Sequence, residues 1–137
     1  MEHYEEKRVF PAQLENLHPM MAFIAESSRK KGFDDKTVEK ILLAAEEALV
    51  NVISYAYPDS PGDIEIICSV KDDDMIFVFK DNGVPFNPLE DVEEVDVTAP
   101  LEERSIGGLG VFMIKQVMDD VSYQRENDMN ILSMTKR

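Results

Sequence analysis

The chain has 137 residues, 44% of them hydrophobic, with no low-complexity tract, which suits one globular domain (1–137) built on one core. Its formal net charge of −14 argues against binding nucleic-acid phosphates or an anionic membrane surface, and favours a basic protein partner. One cysteine, Cys68, permits no internal disulfide and reads as a reduced core thiol on a strand, and the sequence shows neither a signal-peptide core nor a long apolar run, which points to the cytoplasm.

In chain order, residues 7–11 (KRVFP) predict an edge strand, because Pro11 cannot donate to a ladder. Residues 17–31 predict a helix whose face is marked by Leu17, Met21, Ile24 and Ser28. Pro19 fits in its first turn and Gly32 ends it. His18 at that start reads as a capping or surface residue and is assigned no chemistry. Residues 37–58 carry the strongest pattern. Val38, Ile41, Leu42, Ala45, Leu49, Val52, Ile53 and Ala56 form one core-facing stripe, Asp34 or Asp35 caps the start, and Pro58 stops the run. Glu47 and Asn51 lie one turn apart on another face, with Leu43, Val50 and Ser54 around them, as the wall of a pocket would.

Residues 59–62 (DSPG) are turn material and 63–70 alternate as a strand. A tight acidic turn at 71–74 leads into residues 75–81, apolar on both alternating sets as an inner strand would be. That strand delivers Asp81 into DNGVPF. A carboxylate at a strand end, beside a glycine that lets backbone approach a ligand, suits recognition of an exocyclic amine; a plain Asp-Asn-Gly turn is the competing reading. Residues 87–106 are long, acidic and without periodicity, as a mobile lid would be. Gly107, Gly108 and Gly110 then precede Val111, Phe112, Ile114 and Val117 at helical spacing. A glycine-rich turn opening a helix offers free N–H groups to phosphate, although a hinge would look the same. Arg104 either reaches a terminal phosphate or is a surface charge among Glu102 and Glu103. Residues 120–125 and 131–135 predict a closing hairpin around a turn at 126–130.

The Glu47 and Asn51 pair has a chemistry of its own. An Asn oxygen is a hard, neutral ligand for Mg²⁺, which takes few protein ligands when phosphates supply the rest. A Glu one turn earlier can accept a proton from an attacking hydroxyl. Alone, the pair reads much more readily as two solvated helix residues. In combination, Glu47-Ala48-Leu49-Val50-Asn51, then Asp81-Asn82-Gly83-Val84-Pro85-Phe86, then Gly107-Gly108-Leu109-Gly110 resemble the successive nucleotide-binding boxes of the GHKL ATPases. The single-domain length and the ending GGLGVFMIKQVMDDVSYQ most resemble the bacterial anti-sigma factor serine kinases of that superfamily.

The resemblance implies a two-layer α/β sandwich (α+β class, Bergerat type): a mixed, mainly antiparallel sheet, helices on one face and an ATP lid. It implies that Glu47 is the base that activates a substrate serine and that Asn51 holds Mg²⁺. Asp81 would read the adenine with Gly83 beside it, and Gly107, Gly108, Leu109 and Gly110 would bind phosphate, with Arg104 nearby. ATP, a sigma factor, a STAS-domain anti-anti-sigma protein and a homodimer are the implied cofactor and partners. Two departures stand out. Tyr55-Ala56 occupy the place of a His followed by Gly or Ala, and Met129-Asn130 that of Gly-Thr, so Asn130 would replace a Thr hydroxyl near the adenine. Three functions compete: a protein-serine kinase that sequesters a sigma factor, a histidine-phosphorylating module, and a non-catalytic ATP-gated binding module. The absence of a helix bearing an acceptor His counts against the second.

Overall fold

A computed structural model describes residues 4–89 and 106–137, at positions 106–109 the backbone path alone. Most of the expected lid, and Arg104 with it, lies outside the described residues. The elements run β1 (Tyr4–Pro11), a short 3₁₀ turn (Leu14–Asn16), α1 (Leu17–Lys31), α2 (Asp35–Tyr55), β2 (Asp63–Lys71), β3 (Asp74–Asp81), α3 (Ile106–Val117), β4 (Asp120–Glu126) and β5 (Met129–Lys136).

Local chemistry sets most of these boundaries. Gly32 ends α1 with φ of 109°, a left-handed conformation that glycine adopts without strain, and its N–H closes onto the last turn. Asp34, of the two aspartates expected to cap α2, does so: its carboxylate accepts from the Thr37 N–H at 2.9 Å, which holds its carboxyl below the usual range. The β2–β3 and β4–β5 hairpins each turn on two residues with positive φ, Asp72 and Asp73 in one and Asn127 and Asp128 in the other. Asn and Asp tolerate that region best among residues with a side chain. His18 is exposed on α1 and makes no cap.

The sheet has the order β1-β2-β3-β5-β4, with β1 and β4 at its edges. All four pairings are antiparallel, where the resemblance implied a mixed sheet. The α3 crossover delivers β4 to the far edge, and the β4–β5 hairpin then folds β5 back into the gap beside β3. Ile64, Ile66, Cys68, Met75, Phe77, Phe79, Leu132 and Met134 alternate along their strands and are buried under the helices. From above them Met20, Phe23, Ile24, Ile41, Ala45, Leu49 and Val52 close the core. Cys68 is free and buried, and burial pushes its thiol up to about 12, so it behaves as an apolar side chain. Among the described residues no helix is long and apolar enough to cross a membrane.

Several boundaries differ from those the pattern predicts: β1 begins at Tyr4 rather than at residue 7, and α2 spans Asp35–Tyr55 rather than 37–58. The last turn is Asn127-Asp128 rather than 126–130, so Asn130 lies inside β5. The three glycines are not a turn ahead of α3 but its first residues, since the helix starts at Ile106. Phe112 does not join the core; it is 57% exposed, and Ile114 and Met118 are the buried residues of that helix end.

Phe77, 1% exposed at the sheet centre, is a sharp test of where the core lies. Phe77→Ala is expected to cost about 3–5 kcal/mol of unfolding free energy, read from the shift of the urea midpoint followed by circular dichroism.

Candidate functional site

The site grows from the end of β3. Its last residue, Asp81, points under the helices with its neighbours in the alternation and is 3% exposed, a carboxylate in a core position. Such a group is costly unless hydrogen-bonded. One oxygen, Oδ1, accepts from the Gly83 N–H at 2.9 Å and from Asn130 Nδ2 at 2.8 Å. Burial pushes the Asp81 carboxyl above its ordinary range; these two hydrogen bonds and the charge of Arg125 oppose the shift.

Sheet register supplies the partners. Phe10, Ile64, Asp81, Asn130 and Arg125 form one row across the five strands. Asn130 ties the row to the loop after β3: Nδ2 also donates to the Val84 carbonyl at 2.8 Å, and Oδ1 accepts from the Phe86 N–H at 3.1 Å and from the Tyr123 hydroxyl. Arg125 donates to the Gly83 carbonyl at 2.8 Å.

The same loop is clasped from the helix side. The Val84 N–H donates to the Ala56 carbonyl at 2.8 Å, and the Phe86 ring lies 5.2 Å from that of Tyr55. The Tyr57 hydroxyl accepts from the Asn82 N–H at 2.9 Å and donates to the Asp63 carbonyl at 2.6 Å. A Cβ on Gly83 would stand 2.1 Å from the Ala56 carbonyl oxygen, so the loop can approach the helix end this closely only with glycine there. A cavity of about 500 Å³ lies beside this clasp, lined by residues 56–63 and by Asn82, Gly83 and Val84. It borders the loop without including Glu47, Asn51 or the Asp81 carboxylate.

Glu47 and Asn51 sit further up α2. Asn51 is 6% exposed, and its Nδ2 is buried without a hydrogen-bond partner, an arrangement native proteins seldom leave unexplained. Glu47 is half-buried; burial, and then the charge of neighbouring Glu46, raise its carboxyl above the usual range. α3 packs against α2 at this point. A Cβ on Gly110 would fall 2.5 Å from Glu47 Oε2, so the Glu47 carboxylate lies directly against the first turns of α3. The first backbone N–H groups of a helix have no acceptor inside it, and its dipole places positive charge there.

The structure therefore brings together Glu47 and the glycine segment at one end, and Asp81, Gly83 and Asn130 at the other, with Asn51 between them along α2. Arg104 lies outside the described residues. Arg125, Tyr57 and Tyr123 were not anticipated. Once the turn is placed at Asn127-Asp128, counting outward pairs Arg125 with Asn130 and would have exposed the first.

Comparison with known proteins gives the family and the fold. The family model for the histidine kinase-like ATPase domain matches residues 10–136. The serine-protein kinase RsbW of Bacillus cereus (strain AH187) is 30% identical over 140 residues, covering 99% of this chain and 87% of that protein. RsbW of Bacillus cereus (strain B4264) is 31% identical, and that of Bacillus mycoides (strain KBAB4) 30%, over the same spans. Among solved structures, the RsbU and RsbW domains of Rv1364c from Mycobacterium tuberculosis superpose with a TM-score of 0.68 at 14% identity, covering 98% of this chain and 32% of that longer one.

The two glycines separate fold from chemistry. Gly83→Ala meets backbone and is expected to lower the melting temperature by several degrees, whereas Gly110→Ala meets the end of a flexible side chain and is expected to fold while displacing the Glu47 carboxylate. Thermal melts of the two variants side by side check the contrast. By the matched family model and full-length relatives at 30% identity, the chain belongs to the histidine kinase-like ATPase family.

Proposed function

We propose that this protein is an ATP-dependent protein-serine kinase that also acts as an anti-sigma factor in the cytoplasm, a single ATPase domain with its lid at about 87–106. Its substrate is then a serine on a STAS-domain anti-anti-sigma protein. The observation that carries this reading is the contact of the Glu47 carboxylate with the start of α3 at Gly110. It puts a proton acceptor beside backbone suited to phosphate, the juxtaposition that phosphoryl transfer to a hydroxyl needs.

The roles follow from position. The Asp81 carboxylate accepts from the adenine amine, with Gly83 letting the base lie close. The segment Gly107-Gly108-Leu109-Gly110 faces the phosphates, with the free N–H groups of its first turn, at 107 and 108, holding them and Arg104 as an added cation. Glu47 takes the proton of the serine hydroxyl as its oxygen attacks, and half burial equips it by making the carboxylate a stronger base. Asn51 would hold Mg²⁺ through its Oδ1, a neutral oxygen that suits an ion drawing its remaining ligands from phosphate and water, which leaves the unpartnered Nδ2, a donor, to a phosphate oxygen. Mg²⁺ supplies charge neutralisation on the phosphates.

The partners fit the surface. A net charge of −14 suits the basic face of a sigma factor. The sheet face opposite the helices presents Ile76, Val78 and Ile131 in adjacent strands, with Val9 59% exposed at its edge. A second copy of the chain covering that face would form the homodimer.

The test is transfer of labelled γ-phosphate from Mg-ATP to a STAS-domain protein of the same organism. Glu47→Gln is expected to reduce transfer by at least about 100-fold while ATP still binds. Equal transfer by the variant sinks the base assignment, and ATP binding without transfer by the wild type leaves a nucleotide-gated binding module. The acid limb of the rate profile is expected at a higher pH than for an exposed glutamate, because the working form is the anion and its pKa is raised.

A further inference from the structure

Asn130 departs from the Gly-Thr pattern of many relatives, and its surroundings give it a defined task. It is 3% exposed. Its amide hydrogens go to Asp81 Oδ1 and the Val84 carbonyl, both at 2.8 Å. Its oxygen accepts from the Phe86 N–H and the Tyr123 hydroxyl. These four partners fix which way the amide faces. Turned over, its oxygen would meet a carboxylate and a carbonyl, and its NH₂ would meet an N–H.

The neighbouring donors are engaged as well. The Gly83 N–H is held by Asp81 Oδ1, and Arg125 donates to the Gly83 carbonyl. Both donors that reach the Asp81 carboxylate go to Oδ1; in the ionised carboxylate the other oxygen, Oδ2, is an acceptor and receives no hydrogen bond from the described residues. Asn130 thus supports the anionic form of Asp81 without offering a hydrogen of its own to whatever lies beyond it.

Resting on the reading of Asp81 as the contact to the nucleotide base, we propose that Asn130 is the positioning residue that holds Asp81 as an acceptor-only reader and so selects a 6-aminopurine over a 6-oxopurine nucleotide. An amine at C6 donates to the free oxygen. A carbonyl at C6 would face a carboxylate, and no amide hydrogen of Asn130 can turn toward it without abandoning a buried acceptor, which is costly.

Asn130→Asp reverses this polarity. Two carboxylates at hydrogen-bonding distance cannot both ionise, so the pair holds one proton and gains an O–H donor. A general packing defect would weaken all nucleotides alike; a change of donor pattern moves their ratio. The experiment is calorimetric titration of the full chain with Mg-ATP and Mg-ITP, for wild type, Asn130→Asp and Asn130→Ala, with circular dichroism as a folding control. The wild type is expected to prefer ATP by about 10-fold or more. Asn130→Asp is expected to cut that preference about 10-fold, and Asn130→Ala to cut it several-fold. A ratio unmoved in the folded variants, with ATP bound, overturns the proposal; should the Asp variant not fold, the Ala variant decides alone. A wild type that binds no ATP overturns the reading of Asp81 itself and the proposal with it, so the two failures are told apart.

Discussion

A carboxylate buried at the end of β3 is the constraint from which the site takes its shape. An ionised Asp81 in a core row requires donors from the protein, and the fold supplies them from two directions: the loop that follows it in sequence and the strand beside it in the sheet. Meeting that requirement pins the start of β5 to the loop after β3. It also explains why the row that begins with Phe10 and Ile64 ends in Asp81, Asn130 and Arg125. An apolar row turns into a carboxylate, an amide and a guanidinium as it leaves the shelter of the helices. The loop is then held from the helix side as well, by the Ala56 carbonyl, the Tyr55 ring and the Tyr57 hydroxyl.

The second constraint is the closeness of α3 to α2. Gly110 removes a side chain where the Glu47 carboxylate lies, and partial burial, followed by the charge of Glu46, makes Glu47 a stronger base than a surface glutamate. Glu46, its neighbour in sequence, is exposed. Of two adjacent glutamates only Glu47 is turned into the packed face, which sequence composition cannot distinguish.

Where local rules dominate, the sequence was legible. The extent of α1 follows from Pro19 and Gly32, the start of α2 from Asp34 with its end just ahead of Pro58, β2 from alternation, and β3 from an apolar run after an acidic turn. Glu47, Asn51, Asp81 and Gly83 were legible through motif order. Legibility failed where long-range pairing decides. Reading five turn residues at 126–130 put Asn130 outside the strand and hid the Arg125, Asn130 and Asp81 row, although Asn127-Asp128 tolerate the positive φ of a two-residue turn. The glycines at 107, 108 and 110 read as a turn because glycine disfavours helix by about 1 kcal/mol. At Gly110, the close approach of Glu47 gives a tertiary reason for glycine inside a helix. Phe112 matched the apolar spacing yet lies exposed, since spacing does not say which face of a helix meets the core.

The two constraints lie along the C-terminal half of one helix, α2. Glu47, Asn51 and Tyr55 follow at four-residue steps, the first against α3 and the last against the loop that Asp81 opens. From Glu47 to Ala56 the axial rise is about 13 Å, on the scale of a nucleoside triphosphate from base to terminal phosphate. α2 thereby acts as a ruler that sets the distance between the Glu47 carboxylate and the loop that Asp81 opens. Asn51 stands between them with an unpartnered amide nitrogen, at the height where the phosphate chain would pass. A rigid helix whose opposite face is buried in the core keeps that spacing fixed.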